Sequence, residues 1–391
     1  MKPIIHFYTL GFKINILERK ITLKKKDPYK PILGILLLMY IGTMIVLQSM
    51  KTDMIFSESE NRRLEQAPKI SKTQVVDGRF TTNYEKYISD QFPLRDFWIG
   101  VKSKSEKIWG KKENNGVYIG KDGYLLEKFQ NPSEEDFESK VAEINDIAIN
   151  LPNVNKYFML VPNSTKVLED KLPPYAPNGD ELDCIDQVKS NLDRDVQFVD
   201  VYQVLQSNRD KYIYYKTDHH WTTRGAFLAY IELMGEMEIE PRDEKYYEIK
   251  KFSDSFYGSL YSKSGIRDVE PDTIELYIPK DMEEIKVEYL GEGGISYSLY
   301  DMDSFNKKDK YTVFLGGNHP LIKIESSANT TDKLLILKDS YANSFIPFLT
   351  SHFSEIYVVD PRYYDEDLVD LMKDEGIDNL LILYNVKTFF E

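Results

Sequence analysis

The longest unbroken apolar stretch of the chain lies near its N-terminus. No charged residue occurs between Lys30 and Lys51, and the intervening residues read PILGILLLMYIGTMIVLQSM. At ~1.5 Å per residue, a helix of this length spans the ~30 Å hydrocarbon core of a bilayer. The pattern therefore predicts one transmembrane helix at residues 31–50, which separates a short segment, residues 1–30, from the large remainder of the chain.

Polar residues dominate the next segment, residues 51–110. Its first part is polar as far as Pro68, which is typical of a stalk. Apolar side chains then recur near helical spacing until Pro93 ends the pattern. These side chains are Tyr84, Tyr87, Ile88 and Phe92. We expect a stalk followed by an amphipathic helix that packs on the main domain.

From Gly116 onwards, short apolar runs alternate with helical patterns. Two short strands flank a Lys-Asp-Gly turn at 121–123. Further strands are predicted at 156–161, 196–199, 333–337, 355–359 and 379–384, and helices at 134–149, 180–192, from Tyr341 and at 365–375. Continuous apolar strands separated by helices are typical of a parallel sheet covered on both faces. We therefore predict a three-layer, flavodoxin-like α/β domain over residues 111–391.

Residues 245–330 break this rhythm. They contain short β-like runs with many Gly, Ser and Asp residues, so we expect a β-rich insertion near the functional site. In α/β sheets, ligands bind at the carboxyl ends of the strands. The polar residues that directly follow the predicted strands are Asn163, Ser164, Asp339, Ser340, Asp360, Arg362 and Asn385.

Charge and composition narrow the class of protein. The net charge of −14 argues against a nucleic-acid-binding protein, whose contact surface would be basic. The single cysteine, Cys184, excludes an internal disulfide framework and a cysteine-built metal site. Residues 1–30 carry eight Lys and Arg against one Glu and one Asp, a local charge of +6. Because basic residues stay on the cytoplasmic side, we expect a single-pass anchor in the cell membrane with its N-terminus inside and the main domain outside. A cleaved signal peptide is the alternative, and no small-x-small cleavage site follows the apolar stretch.

The clearest chemical pattern is Tyr-Lys-Thr-Asp-His-His-Trp-Thr at residues 215–222. In an extended segment, Asp218 and His220 share one face and His219 points the other way. A carboxylate beside a histidine fixes its tautomer and stabilises the imidazolium, so the pair suits a general base. Two alternatives remain open: incidental histidines at a capped helix start, and a metal site for which His319 supplies the third ligand.

A general base requires a nucleophile, and Ser340 is the candidate. It falls where the apolar strand at 333–337 ends and the predicted helix begins. Its backbone N–H and the helix dipole would favour an oxyanion at this point. The alternative is an ordinary N-cap serine after a strand.

Several separate motifs resemble the DHHW family, which groups with the alginate O-acetyltransferase-like proteins of the SGNH hydrolase fold. The resemblance runs in order from about residue 56 to the C-terminus. Besides Asp-His-His-Trp at 218–221, the motifs are SESENRRL at 57–64, DGRF at 77–80, SDQFPLR at 89–95, YIGKDGYL at 118–125, LPPYAP at 172–177 and KDSY at 338–341.

The resemblance implies a catalytic triad in permuted order. Asp218 matches its acid, His220 its base and Ser340 its nucleophile. Further candidates for oxyanion or substrate binding are Asn385, Arg362, Tyr341 and Asn318. The usual Gly-Asp-Ser of SGNH enzymes reads Lys-Asp-Ser here, and the Gly-x-Asn-Asp signature is missing. Neither a metal nor another cofactor is implied.

The family resemblance implies transfer of an acetyl group to hydroxyls of an exported or cell-surface polysaccharide through an acetyl-serine. Such proteins typically work beside a multi-pass membrane O-acyltransferase, which would be the acetyl donor. One alternative is an acetyl-esterase that uses the same triad. The other is a non-catalytic polysaccharide-binding scaffold of the cell envelope, which predicts that the three side chains do not converge.

Overall fold

The computed structural model describes residues 29–281 and 284–391. Most of the predicted cytoplasmic segment therefore lies outside the described residues. The α-helices are α1 Tyr29–Met50, α2 Lys72–Val76, α3 Arg79–Asp90, α4 Arg95–Ile108, α5 Glu134–Asn150, α6 Ser164–Val167, α7 Glu181–Asn191, α8 Tyr202–Ser207, α9 Thr223–Glu236, α10 Ser259–Ser264, α11 Leu368–Glu375 and α12 Val386–Phe389. Short 3-10 turns occupy Lys121–Gly123, Glu169–Lys171, Glu244–Tyr246, Met302–Asn306, Lys310–Val313, Ser340–Ser344 and Ile346–Phe348.

The strands form one large sheet and three small ones. They are β1 Phe56–Ser57, β2 Arg62–Arg63, β3 Glu113–Asn114, β4 Val117–Ile119, β5 Leu125–Glu127, β6 Asn155–Val161, β7 Val196–Phe198, β8 Tyr247–Phe256, β9 Asp272–Pro279, β10 Ile285–Leu290, β11 Ile295–Ser296, β12 Leu321–Ser326, β13 Lys333–Lys338, β14 Glu355–Val359 and β15 Asn379–Asn385. The large sheet has the order β11-β10-β12-β14-β13-β15-β6-β7.

Strands β14, β13, β15, β6 and β7 run parallel to one another. Their side chains alternate between two cores. On β13, for example, Leu334 and Ile336 pack on the face covered by α9, and Leu335 and Leu337 pack on the face covered by α5, α7 and α11. The predicted three-layer α/β fold is therefore confirmed, because each unbroken apolar strand serves two helical layers.

The β-rich region of residues 245–330 divides between two sheets. Strands β8 and β9 form a separate antiparallel pair. Strands β10 and β12 instead join the large sheet, with β12 antiparallel to β14. The sheet is therefore mixed, and this region supplies its antiparallel edge as well as a lobe.

The structure corrects two expectations about helices. Helix α3 forms, but Tyr84 on its apolar stripe is 46% exposed, and the side chain that it buries is Asp90. The reason is that Asp90 accepts two hydrogen bonds from the Arg62 fork, at 2.8 and 2.5 Å. After Ser340 the chain forms two 3-10 turns and no α-helix, and Pro347 lies within the second of them.

Helix α1 is long and apolar enough to cross a membrane, with a mean hydropathy of 2.1 and no buried residue in that window. It fits a single-pass membrane anchor, although an N-terminal signal sequence has the same character. Five residues separate it from β1, so the rest of the fold follows the helix closely.

Candidate active site

A compact loop, and not an extended strand, brings Asp218 and His220 together. Tyr214 and Trp221 pair as an isolated antiparallel bridge, and the Tyr215 N–H donates to the His220 carbonyl at 3.2 Å. Within the loop the His220 N–H donates to Asp218 Oδ1 at 3.0 Å, which is an Asx-type turn. We predicted that Asp218 and His220 share one face of an extended segment. The two side chains do lie together, but the extended conformation was wrong.

The three candidate triad side chains form one hydrogen-bonded chain. His220 Nδ1 lies 2.6 Å from Asp218 Oδ1, and His220 Nε2 lies 2.8 Å from Ser340 Oγ. A carboxylate can only accept, so Nδ1 carries the proton and Nε2 accepts from the serine hydroxyl. This arrangement matches the geometry expected from the sequence, and the catalytic roles remain a prediction.

The carboxylate of Asp218 is fixed from its other side by the backbone at Ser259. The Ser259 N–H donates to Asp218 Oδ2 at 2.7 Å. Gly258 allows this approach, because a Cβ at that position would lie only 2.2 Å from the Cβ of Asp218 and 2.3 Å from its Oδ2. The Asp218 loop therefore packs directly against the backbone that follows β8, with this carboxylate at the contact.

Burial and charge set the protonation of the pair. Burial on its own would raise the pKa of Asp218, but the adjacent His220 and His219 and the hydrogen bonds to the carboxylate hold it below its ordinary range. Burial and the neighbouring His219 lower the pKa of His220, against the opposite effect of Asp218. The pair is therefore a carboxylate beside a neutral imidazole at neutral pH, as a general base requires.

Ser340 occupies the first position of the turn that follows β13. The cap of this turn is Asp339, whose Oδ1 accepts from the Tyr341 N–H at 2.8 Å and whose Oδ2 accepts from the Asn385 N–H at 2.9 Å. The alternative of an N-cap serine therefore does not describe Ser340, whose hydroxyl contacts His220 instead. Among the described residues, none accepts a hydrogen bond from the Ser340 backbone N–H, so this donor is free to meet an oxyanion.

Tyr311 is a site residue that the sequence did not reveal. Its ring stacks on His220 with centroids 3.8 Å apart and planes 10° apart. Its hydroxyl donates toward the Ser340 carbonyl and lies at 3.1 Å from both that oxygen and Ser344 Oγ. Only its position in the region expected to lie near the site pointed toward it. Tyr311 therefore contacts the candidate base through its ring and the backbone of the candidate nucleophile through its hydroxyl.

Two further histidines of the described part of the chain, His219 and His319, have hydrogen-bond partners other than Ser340. His219 Nδ1 lies 2.6 Å from Ser259 Oγ, and its ring lies against the ring of His220. His319 Nδ1 lies 2.5 Å from Glu292 Oε2. Ligand atoms of Asp218, His219 and His220 lie within 4.8 Å of one another and could hold a metal ion. Both ring nitrogens of His220 are already engaged, however, so the donor set fits a hydrogen-bonded triad better than a metal centre.

Two of the expected oxyanion or substrate-binding residues have structural partners. Asn385 Nδ2 donates to the Val161 carbonyl at 3.2 Å, and its Oδ1 caps α12 by accepting from the Lys387 N–H at 3.0 Å. The Tyr341 hydroxyl donates to the carbonyl of His219, and the ring is fully buried. Tyr341 therefore links the loop of His220 to the turn of Ser340, whereas Asn385 links the ends of β15 and β6. Partners among the described residues engage both side chains.

The remaining two candidates belong to a polar network at the same sheet edge. Lys338 Nζ donates to Asn318 Oδ1 at 2.9 Å and lies 3.4 Å from Asp360 Oδ2. Arg362 pairs with Asp360 at 2.6 Å, and burial lowers the pKa of Lys338. Asp360 is thus shared by two cations, and substrate binding by Arg362 and Asn318 remains a prediction.

Comparisons with known proteins agree with this fold. The profile described as DHHW protein matches residues 115–359. A crystal structure of a DHHW family protein from Eubacterium siraeum superposes with a TM-score of 0.61 at 25% identity, covering 71% of this chain and 93% of that chain. Bacillus cereus PatB1 gives a TM-score of 0.60 at 25% identity, covering 69% and 97%. A second structure of PatB1, with a sulfonyl adduct, gives 0.60 at 23% identity, covering 70% and 95%.

Among proteins with curated descriptions, none matches this sequence. The family profile nevertheless covers more than half of the chain and includes Asp218, His220 and Ser340. The chain belongs to the DHHW family.

Proposed function

We propose that the protein is a membrane-anchored O-acetyltransferase that acts on hydroxyls of an extracytoplasmic polysaccharide. One observation carries the proposal, namely the continuous hydrogen-bonded chain from Asp218 Oδ1 through His220 to Ser340 Oγ, with links of 2.6 and 2.8 Å. A scaffold protein requires no such chain, and the non-catalytic alternative predicted that these side chains lie apart.

The first half-reaction acetylates Ser340. Its Oγ attacks the carbonyl carbon of an acetyl donor while His220 Nε2 takes the hydroxyl proton. The tetrahedral oxyanion accepts a hydrogen bond from the free Ser340 backbone N–H. When the bond to the leaving group breaks, His220 returns the proton to that group, which leaves acetyl-serine and neutral imidazole.

The second half-reaction moves the acetyl group to a sugar. A sugar hydroxyl gives its proton to His220 Nε2 and attacks the acetyl-serine carbonyl. Collapse of the intermediate breaks the bond to Ser340 Oγ, which recovers its proton from His220. Water in place of the sugar gives hydrolysis, so the esterase alternative differs only in the acceptor.

The anchor supports the extracytoplasmic site. Helix α1 fits a single span, and the basic residues before it favour a cytoplasmic N-terminus. One span offers no route for an acetyl group across the membrane. A multi-pass membrane O-acyltransferase is therefore the proposed acetyl donor.

The test uses an activated acetyl ester with the purified protein. We expect acetyl-serine on the peptide that contains Ser340, detected by mass spectrometry, and faster release of the leaving group when an oligosaccharide is added. Acetylated oligosaccharide identifies a transferase. If acetate is the only product and no oligosaccharide changes the rate, the protein is an esterase. If Ser340 is never acetylated, both the transferase and the esterase proposals are contradicted.

A further inference from the structure

A small recess of about 50 Å³ lies directly beside the candidate triad. Its walls come from distant parts of the chain and include Asn61, Asp218, His220, Tyr257, Lys308 and Asp309. His220, whose Nε2 contacts Ser340 Oγ, is one of the residues that line this recess. A group bound here would therefore lie next to the residue that contacts the nucleophile.

Asn61 is unexpected in this position, because it belongs to the segment that the sequence identified as a stalk. It lies in the turn between β1 and β2, at a φ of 51° in the left-handed region. Asparagine tolerates that conformation better than most residues other than glycine. Its exposed side-chain amide makes no hydrogen bond with any described residue, so it is available to a ligand.

The turn that carries Asn61 is held from several sides. The Arg62 fork binds Asp90 on α3, and Arg95 on α4 pairs with Glu60. Ser59 Oγ donates to Asp96 Oδ1 at 2.6 Å. From the main domain, Arg267 donates to the Ser59 carbonyl at 3.4 Å. A spacer between anchor and domain does not require a fixed turn. A side chain that positions a ligand does require one.

The walls of the recess offer groups of several kinds within a small space. Lys308 supplies an ammonium that already donates to the Tyr257 carbonyl, and Asp309 supplies a carboxylate whose Oδ1 accepts from the Tyr311 N–H at 3.2 Å. Desolvation by the surrounding protein and the nearby Asp218 raise the pKa of Asp309. Together with the Asn61 amide, these donors and acceptors suit neighbouring hydroxyls or an amide of a sugar ring.

We propose that the membrane-proximal turn completes the acceptor-sugar subsite, with the Asn61 side-chain amide as a positioning residue that hydrogen-bonds the acceptor. The inference rests on the proposed function and adds the place where the acceptor binds. The segment before the catalytic domain is then part of the active site as well as its link to the membrane.

Substitution of Asn61 by glycine tests the proposal without backbone strain, because glycine accepts a positive φ. In the acetyl-ester assay we expect the KM for the oligosaccharide to rise about tenfold, which corresponds to one lost hydrogen bond. The rate of Ser340 acetylation should change much less. The matched control is Asn115→Gly, since Asn115 also has a φ of 51° but lies outside the recess.

A binding experiment separates this inference from the proposed function. Soluble oligosaccharides of β-1,4-linked N-acetylglucosamine and of hexoses are titrated by calorimetry into the Ser340→Ala protein and into the double variant that also carries Asn61→Gly. About tenfold weaker binding of one of them to the double variant supports the subsite even if no turnover is observed. Equal binding with and without the Asn61→Gly substitution, or no binding of either sugar, overturns it. A wild-type protein that never acetylates Ser340 contradicts the proposed function alone.

Discussion

His220 lies between two rings in the structure. Tyr311 stacks on one face at 3.8 Å, and the ring of His219 also lies against it, again with centroids 3.8 Å apart. This enclosure removes water from the imidazole and lowers its pKa. The same contacts restrain the ring, so that Nε2 points at Ser340.

The lowered pKa of His220 predicts an unusual pH profile. A histidine base works only when neutral, so activity should persist below the ordinary imidazole pKa of ~6.5 and be lost only at more acidic pH. The measurement is kcat/KM for hydrolysis of an activated acetyl ester against pH. An acidic limb with its midpoint at or above ~6.5 would show that the folded protein does not depress this pKa.

Loss of the Ser340 hydroxyl should abolish acetyl transfer and leave the fold intact. Asp339 caps the turn, so Ser340→Ala removes only the bond to His220, and the free energy of unfolding should fall by about 1 kcal/mol or less. The checks are ester hydrolysis and a urea titration of the same preparation. Full activity in this variant would refute the nucleophile assignment.

His352→Ala is the matched control for Ser340→Ala. From the sequence it should be silent, since it lies away from the strand ends. The structure adds a contact between His352 Nε2 and the Tyr230 hydroxyl at 2.7 Å. Activity per folded molecule should therefore stay at the wild-type level while the melting temperature falls.

At the level of elements, the sequence was most informative where strands are buried on both faces. The run Leu334–Leu337 is apolar at every position because it packs against two helical layers, and such runs can be recognised directly. Strands β10 and β12 escaped assignment to the main sheet for the opposite reason. They lie at its antiparallel edge, where polar and apolar residues alternate and resemble those of any surface hairpin.

The conformations of the loops around the candidate site, and the contacts between distant segments, could not be predicted from the sequence. Asp218 and His220 were identified correctly as a close pair, but an Asx-type turn places them together. Tyr311 and Asn61 were missed because each comes from a distant segment, and no local spacing reports a long-range contact.

A substitution at Gly258 tests how closely the Asp218 loop packs against the β8–β9 lobe. In Gly258→Ala, the new Cβ would overlap Asp218, so either the backbone or the carboxylate must move. A displacement of about 1 Å costs on the order of 100-fold in rate, and overpacking costs ~1–3 kcal/mol of stability. Gly235→Ala in α9 is the control, because, apart from the adjoining backbone of its own helix, no described atom lies within 4 Å of its Cβ position. Wild-type activity in Gly258→Ala would mean that Asp218 is not held as described.

For the whole molecule, the short link between anchor and site is a strong constraint. Residues 51–55 separate α1 from β1, and six residue steps extend no further than ~20 Å. The β1–β2 turn is hydrogen-bonded to α3 and α4, and it reaches the recess beside the triad. If α1 spans the membrane, this recess lies close to the membrane surface, within reach of the proposed membrane-bound acetyl donor.

The membrane topology is testable on intact cells or spheroplasts. Residues 1–30 carry a charge of +6, so they should stay in the cytoplasm and the domain from residue 51 onwards should face outward. A protease added outside should remove the large domain, while a tag at the N-terminus stays protected until the membrane is permeabilised. If a signal peptidase cleaved the chain instead, the mature protein would lack the tag. Protection of residues 51–391 in intact cells would reverse the orientation and place the candidate active site on the wrong side for an exported polysaccharide.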